Sequence, residues 1–308
     1  MLNIKSIRLV MAVIAVFVSF ALGASAAFAE NARDFRKKVI DRYEGDDSQS
    51  MTTMKLQKIV RDKKGNVKVR AERIRKVKRY SKAYGKDDKI VMFFLEPADV
   101  RDTAFLSYVY EARDKDNDQW LYMPTLKKIK RIASSDKSGS FMGTDFSYVD
   151  ISDIKLDDYT HRFMADQELA ALLKDKSVAR IFKKKFGKTK AGFKKSKKWL
   201  LSDGLKVVES KPVDKKVLHD DGYSKRIDWI DPDSLIIKKS MYFGKNGRAF
   251  KLRQTKKIKK IQDIWSYLEM EMENFQRSHR TIITISDTKY NTGVKDSYFT
   301  QRTIEQGL

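Results

Sequence analysis

The chain has 308 residues, 41% hydrophobic and 34% charged, a balance that fits folded protein rather than a disordered chain. Charge is the outlier: 65 Lys and Arg against 41 Asp and Glu leave a formal net of +24, which favours anionic partners such as nucleic acid or an acidic membrane. With no cysteine, the chain excludes disulfides, zinc fingers, iron–sulfur clusters and thiol catalysis.

Lys5 and Arg8 are the only charges before Glu30. An apolar run from Leu9 to Leu22 follows them, and Ala27-Phe28-Ala29 closes the segment. A positive start, an apolar centre and an A-x-A end predict a cleaved secretory signal over 1–29; an uncleaved anchor is the alternative. Cleavage removes two basic residues and no acidic ones, so +24 becomes +22. The mature protein is expected in a periplasm, where nucleic acid is scarce, and export argues against a nucleic-acid partner.

Asn31 to Tyr43 reads as an amphipathic helix, with Phe35, Val39 and Tyr43 on one face. Strands follow. Met54, Leu56 and Val60 share a parity, Val67, Val69 and Ala71 alternate with charges, and Gly65-Asn66 marks a hairpin. Ile90 to Leu95, Thr103 to Tyr110 and Gln119 to Met123 continue the series. Asp166 to Lys185 looks helical and runs into Lys183–Lys198, sixteen residues with nine lysines and no acid. Beyond it, Ile227 and Trp229 alternate with Arg226 and Asp228, and Leu268, Met270 and Met272 alternate with Glu269, Glu271 and Glu273. About eleven short strands with regular turns predict a mainly β (α+β) antiparallel barrel or strongly curved sheet. Residues 30–308 form one domain with a basic helical insertion at about 166–200.

Recognisable catalytic patterns are missing from the sequence. His161, His219 and His279 are scattered and form no H-E-x-x-H. Asp114, Asp116 and Asp118 imitate the start of a calcium loop, but Gln119 and Thr125 stand where glycine and glutamate are needed. There is no G-x-S-x-G, Walker loop or G-x-G-x-x-G. Neither an enzyme nor a cofactor is expected.

Two stretches carry the identity: Trp120 to Ile132, and Ser138 to Asp150 with its Phe-Met-Gly-Thr-Asp-Phe-Ser-Tyr-Val-Asp run. Here the sequence resembles the LolA-like periplasmic family of outer membrane lipoprotein-sorting proteins, often associated with RND-type membrane exporters. Glu96-Pro97, Trp229-Ile-Asp and Asp287-Thr-Lys-Tyr-Asn291 are further echoes, and the resemblance covers roughly residues 33–306. Asp102 departs from it, standing where relatives usually have glycine.

The resemblance implies a half-open antiparallel barrel under a helical lid, of the LolA/LolB kind, with an apolar cavity for the acyl chain of a lipid or lipoprotein. Its ligand-binding candidates are Trp120, Tyr122, Phe141, Met142, Phe146 and Tyr148. For Phe141 to Tyr148 the alternative is a turn at Gly143 whose aromatics anchor it to the barrel, with Asp145 bonding the turn backbone. Trp120 and Tyr122 share a strand face, as cavity lining or as core. Lys127, Lys128, Lys130 and Arg131 form one basic group, and Lys183, Lys184, Lys185, Lys194 and Lys195 a second. Both could meet an anionic membrane surface or an RND-type exporter, or be solvated. Phe182, Phe186, Phe193 and Trp199 interleave with the second group, as in an interfacial segment. A monomer is expected.

Overall fold

Thirteen antiparallel strands build one sheet in the computed structural model, which describes residues 30–152 and 154–307. The chain divides into Met1–Asn31 and Ala32–Leu308, and everything described below belongs to the second unit. The expected secretory signal at 1–29 lies outside the described residues.

The strands are β1 (Asp47–Arg61), β2 (Val67–Tyr84), β3 (Asp87–Glu96), β4 (Ala104–Val109), β5 (Asp118–Met123) and β6 (Lys128–Arg131), then β7 (Tyr159–Phe163) and β8 (Lys206–Pro212). They continue with β9 (Tyr223–Ile230), β10 (Ile237–Gly244), β11 (Ala249–Ile261), β12 (Ile264–Asn274) and β13 (His279–Tyr290). Their order is β6-β5-β4-β3-β2-β1-β13-β12-β11-β10-β9-β8-β7. The first and last strands therefore pair in the middle, and the two free edges, β6 and β7, are consecutive in the chain. Met92 of β3 and Tyr242 of β10 line one cavity although six strand steps separate them. On a flat sheet six steps span roughly 29 Å. The sheet is therefore curled into an open barrel, as the sequence predicts.

Among the described residues seven α-helices accompany it: α1 (Ala32–Ile40), α2 (Tyr148–Ile151), α3 (Asp166–Ala171), α4 (Lys176–Phe186), α5 (Lys190–Leu200), α6 (Lys215–Asp221) and α7 (Gln301–Gln306). Both faces of the sheet are covered. Inside, Met54, Met92, Phe105, Leu121, Tyr242, Met272 and Ile283 form one core with Phe141, Phe146 and Val149 of the β6–β7 connection. Outside, α4 and α5 press Phe182, Trp199 and Leu200 onto Ile227, Trp229, Met241 and Phe243. The C-terminal segment packs Phe299 and Ile304 on the outer face at Val91 and Leu106.

Two strands beyond the expected eleven are β7 and β8, short and charged, which flank the insertion without clear alternation. The lysine-rich tract is two helices. Asp175 Oδ1 caps α4 by accepting from Ser177 N and Val178 N, Thr189 caps α5, and the Gly187 turn (φ 86°) joins them. Their apolar faces are spent on the sheet, which is why like charges do not unfold them. These helices are an outer cover, and the inner face is closed instead by α1 and the β6–β7 connection. Asp102 takes φ 63°, the left-handed region that glycine enters freely and aspartate tolerates.

Candidate functional site

A cavity of about 270 Å³ lies between the inner face of the sheet, α1, residues 146–152 and Ile154. Cross-strand register builds its apolar floor: Met54 of β1 stands opposite Ile283 of β13, which stands opposite Met270 of β12. Ile90, Met92 and Ile285 extend this floor, Phe146, Val149 and Ile151 cover it, and Val39 and Ile40 of α1 close one side.

The cover is pinned by two buried aspartates. Asp145 Oδ2 accepts from His279 Nδ1 at 2.6 Å and from Thr281 Oγ1 at 2.9 Å. Its partners are on β13 and not in the turn backbone, as the sequence reading had it. Asp150 Oδ2 accepts from Ser147 N and Oγ, both at 2.8 Å, and from Tyr223 Oη at 2.7 Å, and Lys251 Nζ donates to that phenol at 3.0 Å. Burial drives the Tyr223 phenol well above its ordinary pKa and lowers the Lys251 ammonium.

A second polar cluster, on β9, β10 and α1, presents Arg226 and Arg36 to the cavity. Arg226 Nε donates to both oxygens of Asp228, at 2.8 and 2.7 Å, Ser240 Oγ donates to Oδ1 at 2.5 Å, and Arg36 Nη1 is 3.3 Å from Oδ2. Burial raises the Asp228 carboxyl, but the guanidiniums of Arg226, Arg36 and Arg253 outweigh it and hold the group at about 2. Arg226 and Asp228 belong to a strand whose alternation was legible. The signal missed was that its charged parity is the inner one, because the apolar parity, Ile227 and Trp229, is taken by α4 and α5.

A larger groove of about 430 Å³ is polar, lined by Asp116, Lys155, Asp158, Lys216 and Asp221 among others. It shares Val149, Ser152 and Ile154 with the cavity, so that segment is the wall between them. Among the described residues no group of His, Asp and Glu is arranged to hold a metal ion.

Of the six residues named as ligand contacts, Phe146 lines the cavity. Phe141 is fully buried against Phe105, with ring centroids 5.1 Å apart, and Tyr148 packs on both rings. Met142 sits at the turn with φ 49°, beside Gly143 at 76°, and its carbonyl accepts from Arg75 Nη1. Trp120 and Tyr122 share a face, but it is the outer one, where Trp120 meets Tyr108 at 5.0 Å beneath the C-terminal segment. Their neighbours Gln119 and Leu121 are the buried inward pair.

Lys127, Lys128, Lys130 and Arg131 are exposed, Arg131 in a salt bridge with Asp118. Lys183, Lys194 and Lys195 are exposed as well. Lys184 is exposed too, although its Nζ donates to Phe275 O at 3.0 Å; Lys185 is used inward, its Nζ 3.0 Å from Glu273 and 3.7 Å from Glu271. Phe182 and Trp199 are buried, Phe186 is half-buried, and only Phe193 of the four interleaved aromatics stands exposed, at 53%.

An open antiparallel barrel with a covered inner cavity is the architecture of LolA-type proteins, and solved structures agree. A Vibrio parahaemolyticus domain designated an outer membrane lipoprotein-sorting protein superposes with a TM-score of 0.68 at 26% identity, over 89% of this chain and 98% of that one. A DUF1329 family protein from Desulfovibrio piger gives 0.66 at 26% identity, over 88% and 97%. A LolA superfamily protein from Nitrosomonas europaea gives 0.57 at 17% identity, over 89% and 99%, a likeness of fold alone. No curated protein matches the sequence significantly. A family model described as "uncharacterized protein" matches residues 86–306, well over half of the chain. The chain belongs to that LolA-like family.

Proposed function

We propose that this protein is a periplasmic carrier of a lipid or acylated lipoprotein, sheltering an acyl chain in its inner cavity without catalysing a reaction. The observation that carries the reading is the cavity itself: an apolar floor of Met54, Ile90, Met92, Met270, Ile283 and Ile285 beneath Phe146, Val149 and Ile151. The designation of the Vibrio parahaemolyticus relative as a lipoprotein-sorting protein supports it. So does the leader pattern over 1–29, which sends the mature chain out of the cytoplasm.

At about 270 Å³ the cavity is smaller than the roughly 300–1,000 Å³ typical of ligand pockets. Loading therefore displaces part of the cover. The connection is pinned by Asp145 and Asp150, so α1 is the element to move; it is nine residues long and held by Arg36 on Asp228 and Phe35 on Phe163. Each CH₂ buried contributes about 0.8 kcal/mol, so a chain is held yet passes to a better acceptor. The exposed Lys127–Arg131 and Lys183, Lys194 and Lys195 groups give the carrier a cationic approach to anionic lipid or to an RND-type exporter.

Native mass spectrometry of protein from its own envelope tests this. A co-purifying acyl species whose removal lowers the melting temperature is expected. A lipid-free protein with unchanged stability after delipidation overturns it, and stable crosslinks to an inner-membrane transporter would then favour an adaptor without cargo.

A further inference from the structure

The cavity lining is not electrically neutral. Among the described residues it contains five arginines, Arg36, Arg42, Arg79, Arg226 and Arg253, and two carboxylates, Glu44 and Asp150. Both are engaged, Glu44 by Arg42 and Asp150 by Ser147 and Tyr223, and Asp228 behind the lining is taken by Arg226, Arg36 and Ser240. Arg253 is different. Its Nε and Nη2 atoms are buried and have no hydrogen-bond partner.

Register explains why Arg253 is left over. Asp228 stands opposite Ser240, and Ser240 stands opposite Arg253. The two backbones are thus two strand spacings apart, roughly 10 Å, and the oxygens of Asp228 are taken by Arg226, Ser240 and Arg36, so Arg253 acts on that carboxylate through its field and not through a hydrogen bond. Arg253 is half-buried as a residue, but two buried N–H donors without an acceptor are costly. The two unpartnered atoms form the side edge of the planar fork. That edge offers two parallel N–H donors to one carboxylate or phosphate group.

We propose that the cavity takes a single-chain amphiphile by its anionic headgroup, a carboxylate or a phosphate monoester, bound bidentately at the Nε–Nη2 edge of Arg253. The chain lies against Met54, Ile90, Met92, Ile283 and Ile285. This rests on the carrier reading and deepens it, because burying a neutral acyl chain accounts for the apolar floor but leaves Arg253 without a use.

The experiment titrates delipidated mature protein with palmitate, palmitoyl-lysophosphatidic acid, neutral monopalmitoylglycerol and inorganic phosphate. At least one acid is expected to bind more tightly than the neutral lipid by about tenfold or more, the scale of one charge-assisted pair, and the tighter acid identifies the headgroup. Arg253→Met is expected to bring the acids down to the neutral lipid's affinity while raising the melting temperature of the unloaded protein, since it deletes two unpartnered buried N–H donors. Arg253→Lys, which keeps charge but loses the fork, is expected to fall between. Equal binding of acids and neutral lipid overturns the inference and leaves the carrier reading standing. So does an Arg253→Met protein that keeps its acid preference or melts lower, and so does phosphate binding as tightly as lysophosphatidic acid. Binding of no amphiphile at all overturns the carrier reading itself.

Discussion

Two aspartates, Asp221 half-buried and Asp228 buried, respond to pH in opposite directions because of what surrounds them. Burial pushes the Asp221 carboxyl up to about 6, although Tyr159 donates a hydrogen bond to it. Asp221 therefore stabilises the fold fully below about pH 4, and the contribution is lost as pH rises through about 6. Asp221→Asn keeps an acceptor for Tyr159 and cannot ionise. It should gain about 1–2 kcal/mol over the parent chain near neutral pH and nothing below about pH 4; urea denaturation across that range checks it. Asp228, held at about 2, has the reverse sign: its contribution is present above about pH 4 and disappears as pH falls through about 2. Backbone crowding gives a further residue-scale prediction. A Cβ at Gly192 would lie 2.4 Å from the Phe186 carbonyl oxygen, so Gly192→Ala should cost about 1–3 kcal/mol, read from thermal melts.

At the scale of elements, strand alternation was legible but its direction was not. Parity put Trp120 with Tyr122, and Arg226 with Asp228, on shared faces, and both pairings hold. Which face is inner depends on what else covers the sheet, and here both faces are covered, so polarity alone cannot orient a strand. β12 shows the same ambiguity. Its glutamates look solvent-facing, yet Glu273 is 2% exposed and bridges Arg61 at 2.7 Å and Lys185 at 3.0 Å beneath the insertion. The lysine tract thus docks through its own acidic counterpart. Phe182→Ala should cost about 3–5 kcal/mol by opening a cavity between α4 and the sheet. Phe193→Ala should change stability by less than about 0.5 kcal/mol, yet weaken binding to anionic vesicles if that surface meets membrane. Denaturation and vesicle sedimentation of the two variants separate core from interface.

For the whole molecule, cargo and stability are linked. An acyl ligand at a hundred times its Kd should stabilise the loaded protein by about 2.7 kcal/mol, visible as a concentration-dependent melting temperature. A melting temperature indifferent to every acyl ligand would place binding outside the folded cavity.

The sequence by itself determined the antiparallel class, the amphipathic first helix and the LolA-like kinship, because period-two and period-3.6 patterns and the 120–150 signature are local. The tertiary structure decided which residues meet. Curling brings β3 and β10 to one cavity, the β6–β7 connection packs Phe141 and Phe146 onto the inner face, and strand register leaves the Nε–Nη2 edge of Arg253 without a hydrogen-bond acceptor. These are outcomes of long-range pairing, and no local pattern encodes them. The excess positive charge that opened the problem divides accordingly: exposed lysines on the outer surface, buried counter-ions under α4, and arginines in the cavity wall.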